Sequence, residues 1–171
     1  MTRAAFAIHP TPVGDALLIF TPDGLAGLDL IDDGDDVTAL LLGAQSKLGM
    51  PVDHDEAAAS GAGAQLDEYF AGQRRAFEVP LDIRGFTEFG VRVLSEISEI
   101  PYGQTASYGE IAARADKPQA HRAVGSMCAA TPISIMIPVH RVVRADGSIG
   151  QYGRHPEVKR YLLDLEQAAG E

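Results

Sequence analysis

Apolar residues in the first third of the chain come in short, nearly continuous runs, and those in the second half recur every three or four positions, so strands precede helices. Ala16–Phe20 and Leu25–Ile31 predict two strands. Thr21-Pro22-Asp23-Gly24 joins them, with Pro and Gly placed as a tight turn requires. Asp32–Asp36 ends the second strand and opens a helix, in which Val37, Leu40, Leu41, Ala44 and Leu48 share near-helical spacing. Pro51 to Gly63, rich in Ala, Asp and Gly, predicts a loop. Leu66, Tyr69 and Phe70 belong to a second helix, and the alternation over Phe77–Ile83 predicts an edge strand. His9 and His54 stand alone and read as exposed polar residues.

The pattern changes near Arg84-Gly85, which divides the chain into domains 1–84 and 85–171. Phe86, Phe89, Val93, Ile97 and Ile100 mark a helix that Pro101-Tyr102-Gly103 stops. Ser107-Tyr108-Gly109-Glu110 fits a capping box opening a short helix that contains Ile111, Ala112 and Ala115. Asp116-Lys117-Pro118 is a tight connection, with Pro118 suited to the first turn of the next helix. That helix sets Ala120, Ala123, Val124 and Met127 on one face and Arg122 and Ser126 on the other. Two short helices and a small turn predict a helix-turn-helix, with Arg122 exposed on its second helix and Arg114 and Lys117 near the turn. The same pattern also suits a helical hairpin that binds nothing.

Charge sharpens this picture. The chain of 171 residues has a formal net charge of −10, but residues 1–85 hold 5 Lys+Arg against 14 Asp+Glu, whereas residues 86–171 hold 9 against 10. Between Arg114 and Arg160 there are eight basic residues and three acidic ones, so a polyanion can meet a locally positive face. The single cysteine excludes an internal disulfide and multi-cysteine zinc motifs, and no metal site is expected. No apolar run approaches the roughly 18 residues of a membrane span, and Pro10, Pro12 and Asp15 break any signal-peptide core, so the expectation is a cytoplasmic protein.

The motifs of the second half are specific. Ile100-Pro101-Tyr102-Gly103-Gln104-Thr105, Ser107–Ala112, Arg122-Ala123-Val124-Gly125, Pro138-Val139-His140-Arg141-Val142 and Lys159…Leu162-Leu163…Glu166 follow one another in the order and spacing of the O6-alkylguanine-DNA alkyltransferases. The chain resembles that DNA repair family along essentially its whole length, strongly in the C-terminal half and more loosely in the N-terminal half. The resemblance implies an α+β protein: a small N-terminal α/β (ribonuclease H-like) domain, then a mainly helical, winged-helix-like domain carrying the helix-turn-helix. It further implies a monomer with no cofactor, whose partner is double-stranded DNA containing O6-alkylguanine.

One position departs from the family pattern. The family hallmark is Pro-Cys-His-Arg-Val, and its cysteine takes the alkyl group by in-line attack; the matching residue here is Val139, which has no nucleophilic atom. The resemblance places His140 and Glu166 as the relay that activates the missing thiol. Arg122 becomes the residue that replaces an extruded nucleotide, Tyr108 the one that crowds the target's 3′ phosphate, and Arg114, Lys117 and Arg141 further DNA contacts. Val139, Tyr152, Gly153, Arg154, Cys128 and Thr131 would border the alkylguanine pocket. Thr131 stands where the family has Asn, and Arg154-His155-Pro156 where it has Gly-Gly.

With Val139 in place of the cysteine, the resemblance implies a protein that binds duplex DNA in the minor groove and flips O6-alkylguanine without dealkylating it: an alkyltransferase-like lesion sensor, with nucleotide excision repair proteins as partners by analogy. Two alternatives stay open. One is an active methylated-DNA–protein-cysteine S-methyltransferase with an engineered Val139 or with Cys128 as acceptor. The other is a DNA-binding regulator indifferent to lesions.

Overall fold

A computed structural model describes residues 2–169 and divides the chain into two compact units, with the division between Asp82 and Ile83. In the first unit, β1 (Ala4–Thr11), β2 (Gly14–Thr21) and β3 (Gly24–Ile31) form an antiparallel meander, and β4 (Val52–His54) adds to β1 in parallel, giving the order β3-β2-β1-β4. Helix α1 (Val37–Leu48) leads from β3 to β4; its N-cap Asp36 accepts from the Ala39 N–H, and Gly49 closes it at φ 69°. Helix α2 (Ser60–Phe70) follows β4 after one 3-10 turn at Glu56–Ala59.

The β2–β3 hairpin and both helices match the sequence expectation; four other features differ. β1 is an additional strand: its apolar run Ala4–Ile8 is mostly alanine, a weak strand former, and Pro10 follows it. Pro10 is nevertheless accommodated. β4 pairs only with residues 4–6, so Pro10 lies where β1 has become an edge. The expected loop over Pro51–Gly63 instead holds β4, the 3-10 turn and the start of α2. Asp55 caps that turn through the Ala57 N–H, and Gly63 lets α2 approach β1, since a Cβ there would stand 2.7 Å from His9 Nδ1. His9 Nε2 lies 2.8 Å from Asp67 Oδ1 and so is engaged rather than isolated. The expected edge strand over Phe77–Ile83 shrinks to one bridge between Leu81 and Leu25, because Pro80 has no N–H with which to extend a ladder.

In the second unit, α3 (Glu88–Ser98), α4 (Tyr108–Arg114) and α5 (His121–Ala130) pack on one another. Thr87 caps α3 through the Gly90 N–H, and Val93, Leu94 and Ile97 form its buried stripe. Ser107 caps α4 by accepting from the Glu110 N–H at 3.0 Å, as the capping-box spacing predicts. The connection to α5 is longer than expected: Asp116 takes φ 65°, the Lys117 N–H returns to the Ala112 carbonyl, and Pro118 sits in a turn before α5 begins at His121. Val124 is the buried residue of α5, whereas Ala123 is exposed. A short parallel pair, β5 (Ala106–Ser107) with β6 (Val142–Val143), ties the entry of α4 to the segment that follows Val139. Helix α6 (Pro156–Ala169) closes the unit.

The first unit supplies a test. Gly24 lies at φ 147°, and a Cβ there would meet the Pro80 carbonyl oxygen at 2.4 Å, whereas Gly14 at φ 124° faces open space. Gly24→Ala is expected to destabilise by more than about 2 kcal/mol and Gly14→Ala by about 1 kcal/mol, read from chemical denaturation of each variant. Equal losses would mean that the close approach of residue 80 contributes nothing.

Candidate functional site

On α6, Lys159, Leu162, Leu163 and Glu166 share one face by their i, i+3, i+4, i+7 spacing, and all four are buried. The Glu166 carboxylate accepts from His140 Nε2 at 2.8 Å, from Arg141 Nε at 2.9 Å and Nη2 at 2.8 Å, and from the Gly103 N–H at 3.4 Å. Arg141 Nη1 donates to the Ile100 carbonyl at 2.8 Å, and its guanidinium lies over the Tyr102 ring. One carboxylate therefore joins the end of α6, the Pro138–Arg141 turn and the Ile100–Gly103 turn. Burial alone would raise its pKa; the hydrogen bonds and charges of His140 and Arg141 outweigh burial and hold it at about 2.

His140 is fully buried, and burial lowers its pKa against the pull of Glu166, so the ring is neutral at pH 7. A carboxylate only accepts, so the neutral ring donates from Nε2 and presents a lone pair at Nδ1. That Nδ1 is buried and has no hydrogen-bond partner among the described residues. Arg141, expected among the DNA contacts, is 7% exposed and forked onto Glu166, so its guanidinium cannot also reach a phosphate. Its place is inside.

Val139 sits in a 3-10 turn spanning Val139–Arg141 and is 3% exposed. The chain enters this turn through Ile135 at φ 70°, a strained conformation for a β-branched residue, and then through Pro138. Thr131, at the end of α5, has a buried Oγ1 with no partner among the described residues. Cys128 is partly buried, and burial pushes its thiol up to about 12 despite the nearby Lys159 charge, so it remains protonated at neutral pH. Tyr152 is half-buried, Gly153 turns the chain at φ 52°, and Arg154 is exposed. Pro156 occupies the first position of α6, where its missing N–H costs nothing, so the departure at Arg154-His155-Pro156 builds a helix start.

Arg114, Lys117 and Arg122 are exposed on α4, the turn and α5, and Lys117 Nζ lies 4.7 Å from the Phe89 ring centroid. Tyr108 is half-buried at the first position of α4. Its ring lies 3.9 Å from where a Gly125 Cβ would be, and its hydroxyl 3.2 Å from a Gly150 Cβ. Lys159 belongs to the motif Lys159…Leu162-Leu163…Glu166 but carries no role from the sequence; the structure buries it on the same face of α6 as Leu162 and Glu166. Among the described residues no group of His, Cys, Asp and Glu is placed to hold a metal ion, and no helix is long and apolar enough to cross a membrane.

Family models match both units. Residues 5–83 match the ribonuclease-like domain of 6-O-methylguanine DNA methyltransferase, and residues 88–168 match its DNA binding domain. The chain belongs to this family. The methylated-DNA–protein-cysteine methyltransferase of Mycobacterium tuberculosis is 48% identical over 114 residues, covering 67% of this chain and 68% of the relative. That of Methanosarcina acetivorans is 36% identical over 164 residues, covering 94% and 97%. The crystal structure of Mycobacterium tuberculosis O6-methylguanine methyltransferase superposes with TM-score 0.80 at 37% identity, covering 99% of this chain and 94% of the other. A structure of the same enzyme in complex with DNA superposes with TM-score 0.80 at 36% identity, covering 98% and 94%. The α+β architecture of this chain is thus that of the family, a family of DNA-binding repair alkyltransferases.

The Glu166 cluster predicts an acid limb of stability. Both Glu166 and His140 have folded-state pKa values below their ordinary ones, so on acidification the unfolded chain binds protons first. Stability is expected to decline as pH falls below about 6.5 through His140, and again from about 4.5 toward 2 through Glu166. Glu166→Gln leaves the Arg141 charge buried without its counter-charge and is expected to cost about 3–5 kcal/mol at pH 7 while flattening the lower limb. Urea unfolding across pH 3–7 reads both effects; an unchanged lower limb in the variant would show that Glu166 does not set it.

Proposed function

We propose that this protein is an alkyltransferase-like lesion sensor. It binds duplex DNA through α4 and α5, takes an O6-alkylguanine out of the stack, and holds it beside Val139 without removing the alkyl group. The observation that carries this reading is the replacement of a nucleophile by valine within an otherwise intact relay: the His140–Glu166 pair at 2.8 Å, with the Nδ1 lone pair buried and unsatisfied. Transfer needs a sulfur at position 139 and finds a hydrocarbon. Cys128 is a poor substitute, because a thiol with a pKa near 12 supplies almost no thiolate at pH 7.

The exposed cations Arg114, Lys117 and Arg122 suit backbone neutralisation, and Arg122, near the start of α5, suits filling the gap left by an extruded base, which offsets part of an unstacking cost of a few kcal/mol. Repair would then fall to other proteins, by analogy those of nucleotide excision repair.

Matched duplexes with guanine or O6-methylguanine, titrated with protein and followed by intact mass, test the reading. Tighter lesion binding with unchanged protein mass is expected. A gain of one methyl would make this an active transferase and Cys128 the residue to map. Equal affinity with unchanged mass would make it a DNA-binding regulator.

Val139→Cys provides a second test. The new thiolate would form a bond to the methyl carbon as the carbon–O6 bond breaks, its proton having passed through water to His140 Nδ1 and onward to the departing guanine. A stoichiometric gain of one methyl is expected in Val139→Cys and none in Val139→Cys/His140→Ala at equal times. A Val139→Cys protein that folds, binds the lesion and stays unmethylated would refute the intact relay. Arg122→Ala is expected to weaken lesion binding at least tenfold while leaving the melting temperature within a few degrees; an unchanged affinity would remove Arg122 from the DNA face.

A further inference from the structure

Lys159 is 1% exposed. Its Nζ donates to the Val142 carbonyl at 2.7 Å, just past the Val139 turn, and to the Gln151 carbonyl at 3.5 Å, at the root of the loop carrying Tyr152. Gly150 lies beside this arrangement at φ 73°; a Cβ there would crowd the Tyr108 hydroxyl at 3.2 Å and stand at ordinary contact distance, 3.7 Å, from Nζ. The groups facing Nζ are the Tyr108 ring of α4 at 5.9 Å, the Cys128 thiol of α5, the His140 ring of the Val139 turn, and the Arg144 guanidinium after β6. No carboxylate is among them. A buried ammonium held by two carbonyls, with no counter-charge among the described residues, has little to keep its proton.

We propose that Lys159 is the positioning residue of the lesion pocket: its ammonium fastens the Tyr152 loop to the segment after Val139, and loss of its proton releases the loop, so lesion discrimination falls in mild alkali. This rests on the lesion-sensor reading. An ammonium makes charge-assisted bonds to both carbonyls, whereas a neutral amine is a much weaker donor. Burial, with a smaller push from Arg144, brings the Lys159 pKa down to about 8. Its neighbours keep their protonation states between pH 7 and 9: burial raises Cys128 to about 12 and Tyr108 above its ordinary 10, and lowers His140 below its ordinary 6.5. Lys159 is the member of this cluster that changes charge in that window.

The experiment is a pH series on the wild-type chain, measuring affinity for O6-methylguanine and for guanine duplexes at pH 7, 8 and 9. At pH 9 about a tenth of Lys159 stays charged, so the ratio of the two affinities is expected to fall about tenfold from its value at pH 7, with guanine-duplex affinity little changed. Lys159→Arg keeps a charge at every pH and is expected to retain discrimination at pH 9; Lys159→Met is expected to lack it at pH 7. The wild-type series stands even where a variant fails to fold. A ratio that is substantial at pH 7 and flat to pH 9, or a parallel loss for both duplexes, would overturn the role of Lys159 while leaving the sensor reading in place. A ratio of one at every pH would overturn the sensor reading and the inference with it.

Discussion

The second unit is organised around a carboxylate that water cannot reach. Glu166 would be costly to bury charged, and its charge persists only because His140, Arg141 and the Gly103 amide converge on it. That convergence anchors α6, holds the Ile100–Gly103 turn against the Pro138–Arg141 turn, and fixes the tautomer of His140. It also withdraws Arg141 from the surface. A cation that looks in one dimension like a DNA contact is, in three, half of an internal ion pair.

The same buried surroundings govern the other titratable groups near Val139. Removal of water pushes the Cys128 thiol up and the Lys159 ammonium down, so both drift toward neutrality. An interior of this kind does not generate a nucleophile unless a specific relay supports one. His140 is held by Glu166, and the residue before it is valine. Arg114, Lys117 and Arg122, on α4, the turn and α5, stay exposed outside these buried surroundings.

The hairpin β2–β3, the caps of α1 and α4, and the stripe of α3 could be read along the chain because each depends on residues a few positions apart: Asp36 with Ala39, Ser107 with Glu110, Val93 with Ile97. β1 could not be read so. Its alanines and Pro10 dilute the strand signal of Phe6 and Ile8, and pairing with β2 and β4 completes it. Phe77–Ile83 failed in the opposite sense: its alternation is real, yet Pro80 lacks the N–H a ladder requires, and one bridge remains. Likewise the late start of α5 follows from Asp116 in the left-handed region, which the Asp-Lys-Pro spacing does not announce.

By itself the sequence determined the order of the motifs, the division of charge between the two halves, and the presence of valine between Pro138 and His140, since these are properties of residue identity and spacing. Tertiary structure decided which cations face solvent and which are consumed inside. Arg122 and Arg141 are the same residue type, and Lys117 and Lys159 likewise; only packing makes one of each pair exposed and the other buried. The reason is that desolvation and ion pairing act through space at a few ångströms, and Glu166 meets Arg141 across 25 residues of chain that no local pattern spans.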